Sequence, residues 1–167
     1  MRAAVVMFKG GVAKSTVAVT VGVGLARQGR RVLVVDLDAQ MSATHLLGKG
    51  DHDSPGVVGV LMSPIHPAKA ILPVEDGLDL LPSTRALAPI ESWLAMQTRR
   101  EELLRRRMRD LGRYDVVIVD TAPSFSVLNL NAMTYATEIW LPVSMDYLDF
   151  APRATGAADF DSLIRRI

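Results

Sequence analysis

The chain has 167 residues, and its 19 basic and 18 acidic residues leave a formal charge of +1, so no global electrostatic field directs it to nucleic acid or to a membrane. Cysteine is absent, which excludes disulfides, thiolate metal sites and a cysteine nucleophile, and makes a reducing cytoplasm the expected compartment. The length suits a single domain over residues 1–167, and no apolar run reaches the roughly 18 residues of a transmembrane segment.

In chain order, short runs rich in Val and Ile predict buried parallel strands, and longer segments between them predict helices. The first helix, over residues 15–28, is closed by Gly29 and contains Gly22 and Gly24, which lower helix propensity and allow close packing on the sheet. Residues 49–73 predict a surface excursion with one short helix. The predicted strands are residues 3–8, 32–35, 77–82, 116–119 and 138–143, and the other predicted helices are residues 87–111, long or broken, and 160–167. This alternation predicts an α/β fold with a mostly parallel sheet flanked by helices.

A glycine turn joins the first predicted strand to the first predicted helix. Gly10 and Gly11 lack a Cβ, so their backbone can point N–H groups at phosphate oxygens, and the helix that begins near Ser15 adds the positive end of its dipole. Lys14 is placed to neutralise the β- and γ-phosphates, and the Ser15 hydroxyl to bind Mg²⁺. The sequence therefore predicts a phosphate-binding turn, with an ordinary glycine-rich turn and solvent-facing lysines as the alternative.

The turn departs from the strict P-loop pattern, because Phe8 and Ala13 stand where that pattern has glycine, and a second lysine, Lys9, precedes the glycines. The run Lys-Gly-Gly-Val-Ala-Lys-Ser-Thr resembles the deviant Walker A motif of the ParA/Soj/MinD family of partition ATPases, in which the extra lysine is the signature residue. The resemblance implies a P-loop NTPase fold that binds ATP and Mg²⁺, and the methyl group of Ala13, in place of the family's usual Gly, could crowd the phosphates. The implied nucleotide-binding residues are Lys9, Gly10, Gly11, Val12, Ala13, Lys14, Ser15 and Thr16.

Two acidic strand ends accompany the turn. Asp36 and Asp38 follow the second predicted strand, in a segment that resembles the family's switch I with Ala39 in place of Pro. Asp120 follows four aliphatic residues, where a doubly wound sheet places its ligands, and resembles a Walker B strand that enters switch II. The resemblance implies that Asp38 orients the water that attacks the γ-phosphate; solvated aspartates at strand ends are the structural alternative. The implied catalytic residues are Lys9, Lys14 and Asp38, and the implied metal-binding residues are Ser15, Asp36 and Asp120.

The same resemblance implies a working unit larger than one chain. In this family two subunits enclose ATP and the signature lysine reaches the partner's phosphates, so Lys9 is the implied trans-acting cation. The implied function is a partition or positioning ATPase that dimerises on ATP and hydrolyses it to segregate plasmid or chromosomal DNA or to position another cargo. The implied partners are a second copy of the chain, an activating protein of ParB type and nonspecific DNA, and the implied location is the cytoplasm, in association with the nucleoid. We expect the chain to lack the family's C-terminal strands.

Other polar residues have simpler interpretations. Arginines between residues 99 and 113 either contact DNA or form a solvated, salt-paired face, and their neighbours Glu101 and Glu102 favour the second reading. Asn131, which follows the second acidic strand end, is expected to be a helix-packing or turn residue rather than to bind a ligand. Three histidines lack metal-ligand spacing and are expected in loops or at the surface: His45, His52 and His66.

Two other function classes remain open. A different P-loop enzyme, such as an ATP-dependent ligase or a tyrosine kinase, shares the phosphate-binding turn, although the tyrosine-rich tail that would support a kinase is missing from a chain with three scattered tyrosines. A noncatalytic nucleotide-binding scaffold is the third class, since Ala13 departs from the family's pattern.

Overall fold

A computed structural model of the chain describes residues 1–63 and 65–143. The predicted helix over residues 160–167 lies outside the described residues. The strands in the described part are β1 (Arg2–Val5), β2 (Val32–Leu37), β3 (Leu72–Glu75), β4 (Leu78–Leu81), β5 (Val116–Thr121) and β6 (Glu138–Trp140). The α-helices there are α1 (Lys14–Arg27), α2 (Ser42–Leu46), α3 (Gly56–Met62), α4 (Ile90–Ala95), α5 (Leu103–Arg107) and α6 (Val127–Tyr135), with short 3-10 helices at Pro67–Lys69, Arg85–Leu87 and Arg100–Glu102.

The strands form one sheet in the order β3-β4-β2-β5-β1-β6. Neighbouring strands are parallel except for β3, which runs antiparallel to β4. Every residue of β2 and β5 is buried, because helices cover both sides of the central sheet. Two-sided burial explains why these strands have continuous apolar runs instead of alternating ones. The structure confirms the predicted α/β class with a mostly parallel sheet.

Helices pack on both faces of the sheet. On one face α1 and α2 cover β2, β4 and β5. Gly22 permits this contact, since a Cβ on it would lie 3.0 Å from Cγ2 of Val34, whereas Gly24 faces open space. The prediction of close helix–sheet packing is therefore confirmed for Gly22 alone. On the other face α3, α4, α5 and α6 bury the larger apolar cluster.

Two predicted segments are resolved by the structure. Residues 87–111 are predicted to form one long or broken helix, and the structure has the broken form, with α4 and α5 separate and Arg99 between them at φ 53°, a left-handed backbone that a continuous α-helix does not contain. The short helix predicted within residues 49–73 is present as α3, but the prediction that this segment is a surface excursion is wrong, because Val57, Val60 and Leu61 of α3 are fully buried in the core and Leu72–Glu75 forms the edge strand β3. Frequent Gly and Pro around α3 conceal its apolar face in the sequence.

Candidate functional site

The turn between β1 and α1 contains two residues with a left-handed backbone. Gly11 has φ 76°, and Ala13, which caps α1, has φ 60° and ψ 28°. An L-residue with a side chain is disfavoured in this region, because its Cβ approaches the following carbonyl oxygen. Position 13 therefore has the backbone of a glycine while it carries a methyl group, which gives a structural reason for the glycine that the motif normally has there.

A cleft of about 540 Å³ opens beside this turn at the carboxyl edge of the sheet. The space next to Gly10 and Gly11 is open, since a Cβ built on either residue has no atom within 4 Å. Of the residues predicted to bind nucleotide, 10–16 line the cleft, while Lys9 is exposed and lies directly before them. The lining residues are Gly10, Gly11, Val12, Ala13, Lys14, Ser15, Thr16, Asp38, Gln40, Ser42, His45, Leu46 and Pro123.

The two acidic residues after β2 have different surroundings. Asp38 is 8% exposed and lines the cleft, and its Oδ1 accepts a hydrogen bond from the Gln40 amide N–H at 2.9 Å. Asp36 is fully buried: its Oδ1 accepts from the Asp38 amide at 3.1 Å, and its Oδ2 accepts from the amide and hydroxyl of Thr44 at 2.8 and 2.7 Å. Burial raises the pKa of Asp36, and the hydrogen bonds from Thr44 offset part of that effect. Asp36 as a metal-binding residue stays a prediction.

Asp120 is level with Asp36 across the sheet, because β5 pairs with β2 in that register. It is fully buried, and neither carboxylate oxygen has a hydrogen-bond partner within the described part of the chain. Its pKa is raised to about 7, mainly by burial; the neighbouring Ser15 hydroxyl and Lys14 ammonium oppose the rise, and the nearby charges of Asp36 and Asp38 contribute to it. The Ser15 hydroxyl thus lies near enough to favour the ionised form although no well-formed hydrogen bond joins the two groups.

The Asp120 carboxylate and the Ser15 hydroxyl together suit a hard cation that phosphate oxygens also coordinate. A buried carboxylate with two unpartnered oxygens beside a serine hydroxyl offers the oxygen ligands that Mg²⁺ takes, directly or through water. Across residues 1–63 and 65–143, no group of three or more His, Cys, Asp and Glu side chains is arranged to hold a metal ion unaided. A cation at this place would therefore share its coordination with a ligand, as Mg²⁺ does when one or two carboxylates and a polyphosphate bind it.

The loop after β5 is held by a residue that the sequence interpretation missed. The Asn129 Nδ2 donates to the carbonyl oxygens of Ala122 and Ser124 at 2.9 and 2.7 Å, so α6 fixes the loop that brings Pro123 to the cleft. The ring of Phe125 in this loop stacks on Phe8 with centroids 3.5 Å apart. The sequence does contain a signal for the start of this helix, since serine is a favoured N-cap residue. In the structure Ser126 is the N-cap of α6, and its hydroxyl accepts a hydrogen bond from the Asn129 amide.

Asn131 has the packing role expected of it. Its Oδ1 accepts from the Leu104 amide at 2.9 Å, and its Nδ2 donates to the carbonyl oxygens of Arg100 and Val127 at 2.7 and 2.8 Å. These bonds join α6 to the start of α5 inside the core. Asn131 is therefore a buried structural residue and is not among the described residues that line the cleft.

The remaining polar residues are mostly at the surface. His45 is exposed on α2, as expected, but it also lines the cleft, which its sequence context did not indicate. His66 caps the 3-10 helix Pro67–Lys69, where its Nδ1 accepts from the Ala68 amide at 3.2 Å. In the basic run, Arg99 pairs with Glu102, so an ion pair of the expected type is present.

Within the residues that the structure describes, no helix has both the length and the apolar character needed to cross a bilayer.

Comparison with known proteins identifies relatives over most of this fold. A family model described as an AAA domain matches residues 2–166. The chain is 40% identical over 139 residues to the chromosome-partitioning ATPase Soj of Thermus thermophilus. This alignment covers 83% of this chain and 53% of the Soj protein. It is 36% identical over 146 residues to the cell division protein PomZ of Myxococcus xanthus, covering 86% of this chain and 46% of that one. The chain thus spans about half the length of these relatives.

A solved structure is similar over the whole fold. Cobyrinic acid a,c-diamide synthase from Mycobacterium smegmatis, determined with a bound ATP analogue and magnesium, is similar with a TM-score of 0.84 and 40% identity, over 99% of this chain and 67% of that one. The two-lysine turn lies in this chain at the edge of the sheet where a parallel α/β fold places its ligands. On these grounds the chain belongs to the ParA/Soj/MinD-like family of partition ATPases.

Proposed function

We propose that this chain is a single-domain, ParA-like partition or positioning ATPase that binds ATP with Mg²⁺ in the cleft and hydrolyses it. The observation that carries the proposal is Asp120, a fully buried carboxylate without a hydrogen-bond partner in the described part of the chain, next to the Lys14–Ser15 start of α1. Such a group is costly to bury unless a ligand satisfies it. A metal–nucleotide complex supplies both the cation that Asp120 lacks and the anion that the turn and Lys14 would hold.

Each residue of the site has a separate task in this proposal. Backbone N–H groups of the turn and the Lys14 ammonium hold the phosphates, and Asp120 and Ser15 hold the hydrated cation. Bound Mg²⁺ would neutralise charge on the phosphate oxygens. Asp38, at the cleft wall, accepts a proton of the attacking water in a hydrogen bond and so orients it toward the γ-phosphorus. Phosphoryl transfer needs such positioning more than it needs covalent chemistry, so few groups suffice.

The test separates binding from turnover with two variants and two matched controls. Lys14→Ala should lose most of its affinity for a nonhydrolysed ATP analogue in calorimetry, while Lys69→Ala, an exposed lysine on another face, should bind as the parent does. Asp38→Ala should bind the analogue within a few-fold but hydrolyse little ATP in single-turnover measurements, since its task is specific to the transition state. Asp76→Ala, in the exposed β3–β4 turn, is its control. Unchanged binding in Lys14→Ala would refute the assignment of the cleft.

We also propose that ATP joins two copies of the chain and that Lys9 contacts the partner's nucleotide. Lys9 is exposed directly before the residues that line the cleft, so it lies at the border of the bound nucleotide. If Lys9 acts across the interface, Lys9→Ala should weaken ATP-driven dimerisation and hydrolysis more than nucleotide binding to the monomer. Light scattering with the ATP analogue measures this. A Lys9→Ala protein that dimerises and turns over like the parent would overturn the trans role.

The proposed cargo and partners follow from the relatives. Soj of Thermus thermophilus is a chromosome-partitioning ATPase, and we propose for this chain an activating protein of ParB type, nonspecific DNA and a cytoplasmic, nucleoid-associated location. Steady-state hydrolysis with and without duplex DNA tests the DNA partner. Stimulation that declines with salt would support it, since phosphate contacts release counterions. No response at low salt would contradict it.

A second candidate is favoured by the similar synthase structure with 40% identity. In an ATP-dependent synthase the γ-phosphate is transferred to an acceptor instead of to water, so hydrolysis without an acceptor would be slow. ATP turnover by the chain alone, lost in Asp38→Ala, favours the partition ATPase. Turnover that requires an added carboxylate acceptor favours the synthase.

A further inference from the structure

A chain of buried hydrogen bonds runs from the end of β4 to the cleft. The Ser83 amide, just after β4, donates to the Thr44 hydroxyl oxygen at 3.1 Å. That hydroxyl donates to Oδ2 of Asp36 at 2.7 Å, and the Asp36 Oδ1 accepts from the Asp38 amide at 3.1 Å. Thr44, Asp36 and Ser83 are all fully buried. The connection therefore links two strands and α2 to the backbone of a residue that lines the cleft.

Thr44 is the central member of this connection. Its hydroxyl both donates and accepts, and its amide gives Asp36 Oδ2 a second donor at 2.8 Å. Two donors on one oxygen fix the carboxylate plane of Asp36, and hence the direction of its other oxygen toward the Asp38 amide. Thr44 does not line the cleft, so it acts on a bound ligand only through these partners.

We propose that Thr44 is a positioning residue for hydrolysis, which holds Asp36 so that Asp36 in turn fixes the backbone of Asp38. The inference rests on the proposed ATPase function of the cleft. It assigns Asp36 to the support of Asp38 through the chain's own hydrogen bonds. Loss of the Thr44 hydroxyl leaves the Asp36 carboxylate with one donor from Thr44 and leaves the Ser83 amide buried without its acceptor.

The test compares two substitutions of Thr44 with a control substitution of an exposed threonine. Thr44→Val removes the hydroxyl, Thr44→Ser keeps it, and Thr20→Val is the matched control on the exposed side of α1. In Thr44→Val we expect affinity for a nonhydrolysed ATP analogue within about 3-fold of the parent, and single-turnover hydrolysis slower by about 10- to 100-fold, because misplacement of an orienting group acts mainly on the transition state. Thr44→Ser and Thr20→Val should hydrolyse at the parental rate.

A second measurement does not depend on hydrolysis. The protection of the Asp38 amide against hydrogen exchange should fall by about 10-fold or more in Thr44→Val and stay near the parental value in Thr44→Ser, since the Asp38 amide donates to the carboxylate that Thr44 fixes. If Thr44→Val does not fold, Thr44→Ala removes the same hydroxyl without added bulk and serves in its place.

The outcomes separate this inference from the proposed function. A parent that hydrolyses no ATP refutes the ATPase, and Asp38 protection still decides whether Thr44 holds the segment. Unchanged Asp38 protection in Thr44→Val overturns the inference even in an active enzyme. Equal losses of binding and turnover overturn it as well, because they would show general damage to the cleft. Loss of turnover with retained binding, reversed in Thr44→Ser, supports it.

Discussion

Replacement of Ala13 by glycine should stabilise the chain, because the backbone at this position is already that of a glycine. Ala13 has φ 60° and ψ 28° at the N-cap of α1. A left-handed conformation costs an L-residue about 1–2 kcal/mol relative to glycine. Glycine also gives the unfolded chain more conformational entropy, which reduces the gain in folding stability by about 0.4–1 kcal/mol. The expected net gain is about 0.5–1 kcal/mol, or about 1–4 °C in melting temperature for a chain of this size.

The measurement is urea denaturation of Ala13→Gly with Ala95→Gly as the matched control. Ala95 is exposed and ends α4 with an ordinary helical backbone, so glycine there should reduce the free energy of unfolding by up to about 1 kcal/mol. The two substitutions make the same chemical change in different backbones, and their effects should have opposite sign. An Ala13→Gly protein that loses stability as the control does would refute a left-handed backbone at position 13.

The same substitution also tests the cleft. Ala13 lines it, and its methyl group is the one side chain of the turn that stands where the family has none. Removal of the methyl should therefore tighten binding of an ATP analogue by a few-fold, measured by calorimetry alongside Ala95→Gly. Weaker binding would show that the methyl does not crowd the phosphates.

Three further substitutions test the buried and charged groups of the fold. Asp120→Asn should be more stable than the parent near pH 8 without Mg²⁺. A folded pKa of about 7, above the ordinary value of 3.8, means that this group's contribution to stability is full below about pH 4, falls as pH rises and is lost above about pH 7; the shift sets an upper limit on the order of 4 kcal/mol, less the cost of an unpaired amide. Urea denaturation should therefore show a larger gain at pH 8 than at pH 5. Asn131→Ala should lose about 2 kcal/mol of unfolding free energy in urea, because it leaves the buried Leu104 amide without its acceptor and removes the donor to the Arg100 carbonyl, and a loss under about 1 kcal/mol would contradict the network. Asp115→Asn should reduce the loss of stability between about pH 4 and pH 2, since Arg31 holds the pKa of Asp115 in the folded chain at about 2. The stabilisation is present above the ordinary pKa of 3.8 and is lost as pH falls through the folded pKa. Acid titration followed by circular dichroism compares the two proteins.

The elements that were predictable share a local cause. The central strands and α1 are each specified by their own residues: Val32 to Val35 are buried on both faces, and Gly29 ends α1 with φ 82°. Segments that depend on distant partners were not predictable in the same way. β3 contains Pro73 and pairs at the sheet edge, where proline is tolerated, so its sequence looks like a loop.

The candidate site shows the same division. The positions of the turn, Asp38 and Asp120 at the carboxyl edge of the sheet were predictable, since each stands at the end of an apolar run or in a recognisable motif. The different surroundings of Asp36 and Asp38 were not predictable, because both carboxylates follow the same strand. α2 brings Thr44 close to Asp36, which accepts its hydrogen bond, whereas Asp38 lines the cleft. Long-range partners of this kind leave no periodic signal.

Charge at the carboxyl edge of the sheet limits what the cleft can bind. Asp36, Asp38 and Asp120 are all buried there, and Lys14 is the lysine among the described residues that line the cleft. Two like charges 4 Å apart repel by about 4 kcal/mol at an effective dielectric constant of 20, so a polyphosphate added to three carboxylates cannot be offset by one ammonium group. The same burial and repulsion raise the pKa of Asp120 in the absence of a ligand. A ligand that brings its own divalent cation removes this conflict, and for this reason nucleotide and Mg²⁺ should each raise the affinity of the cleft for the other.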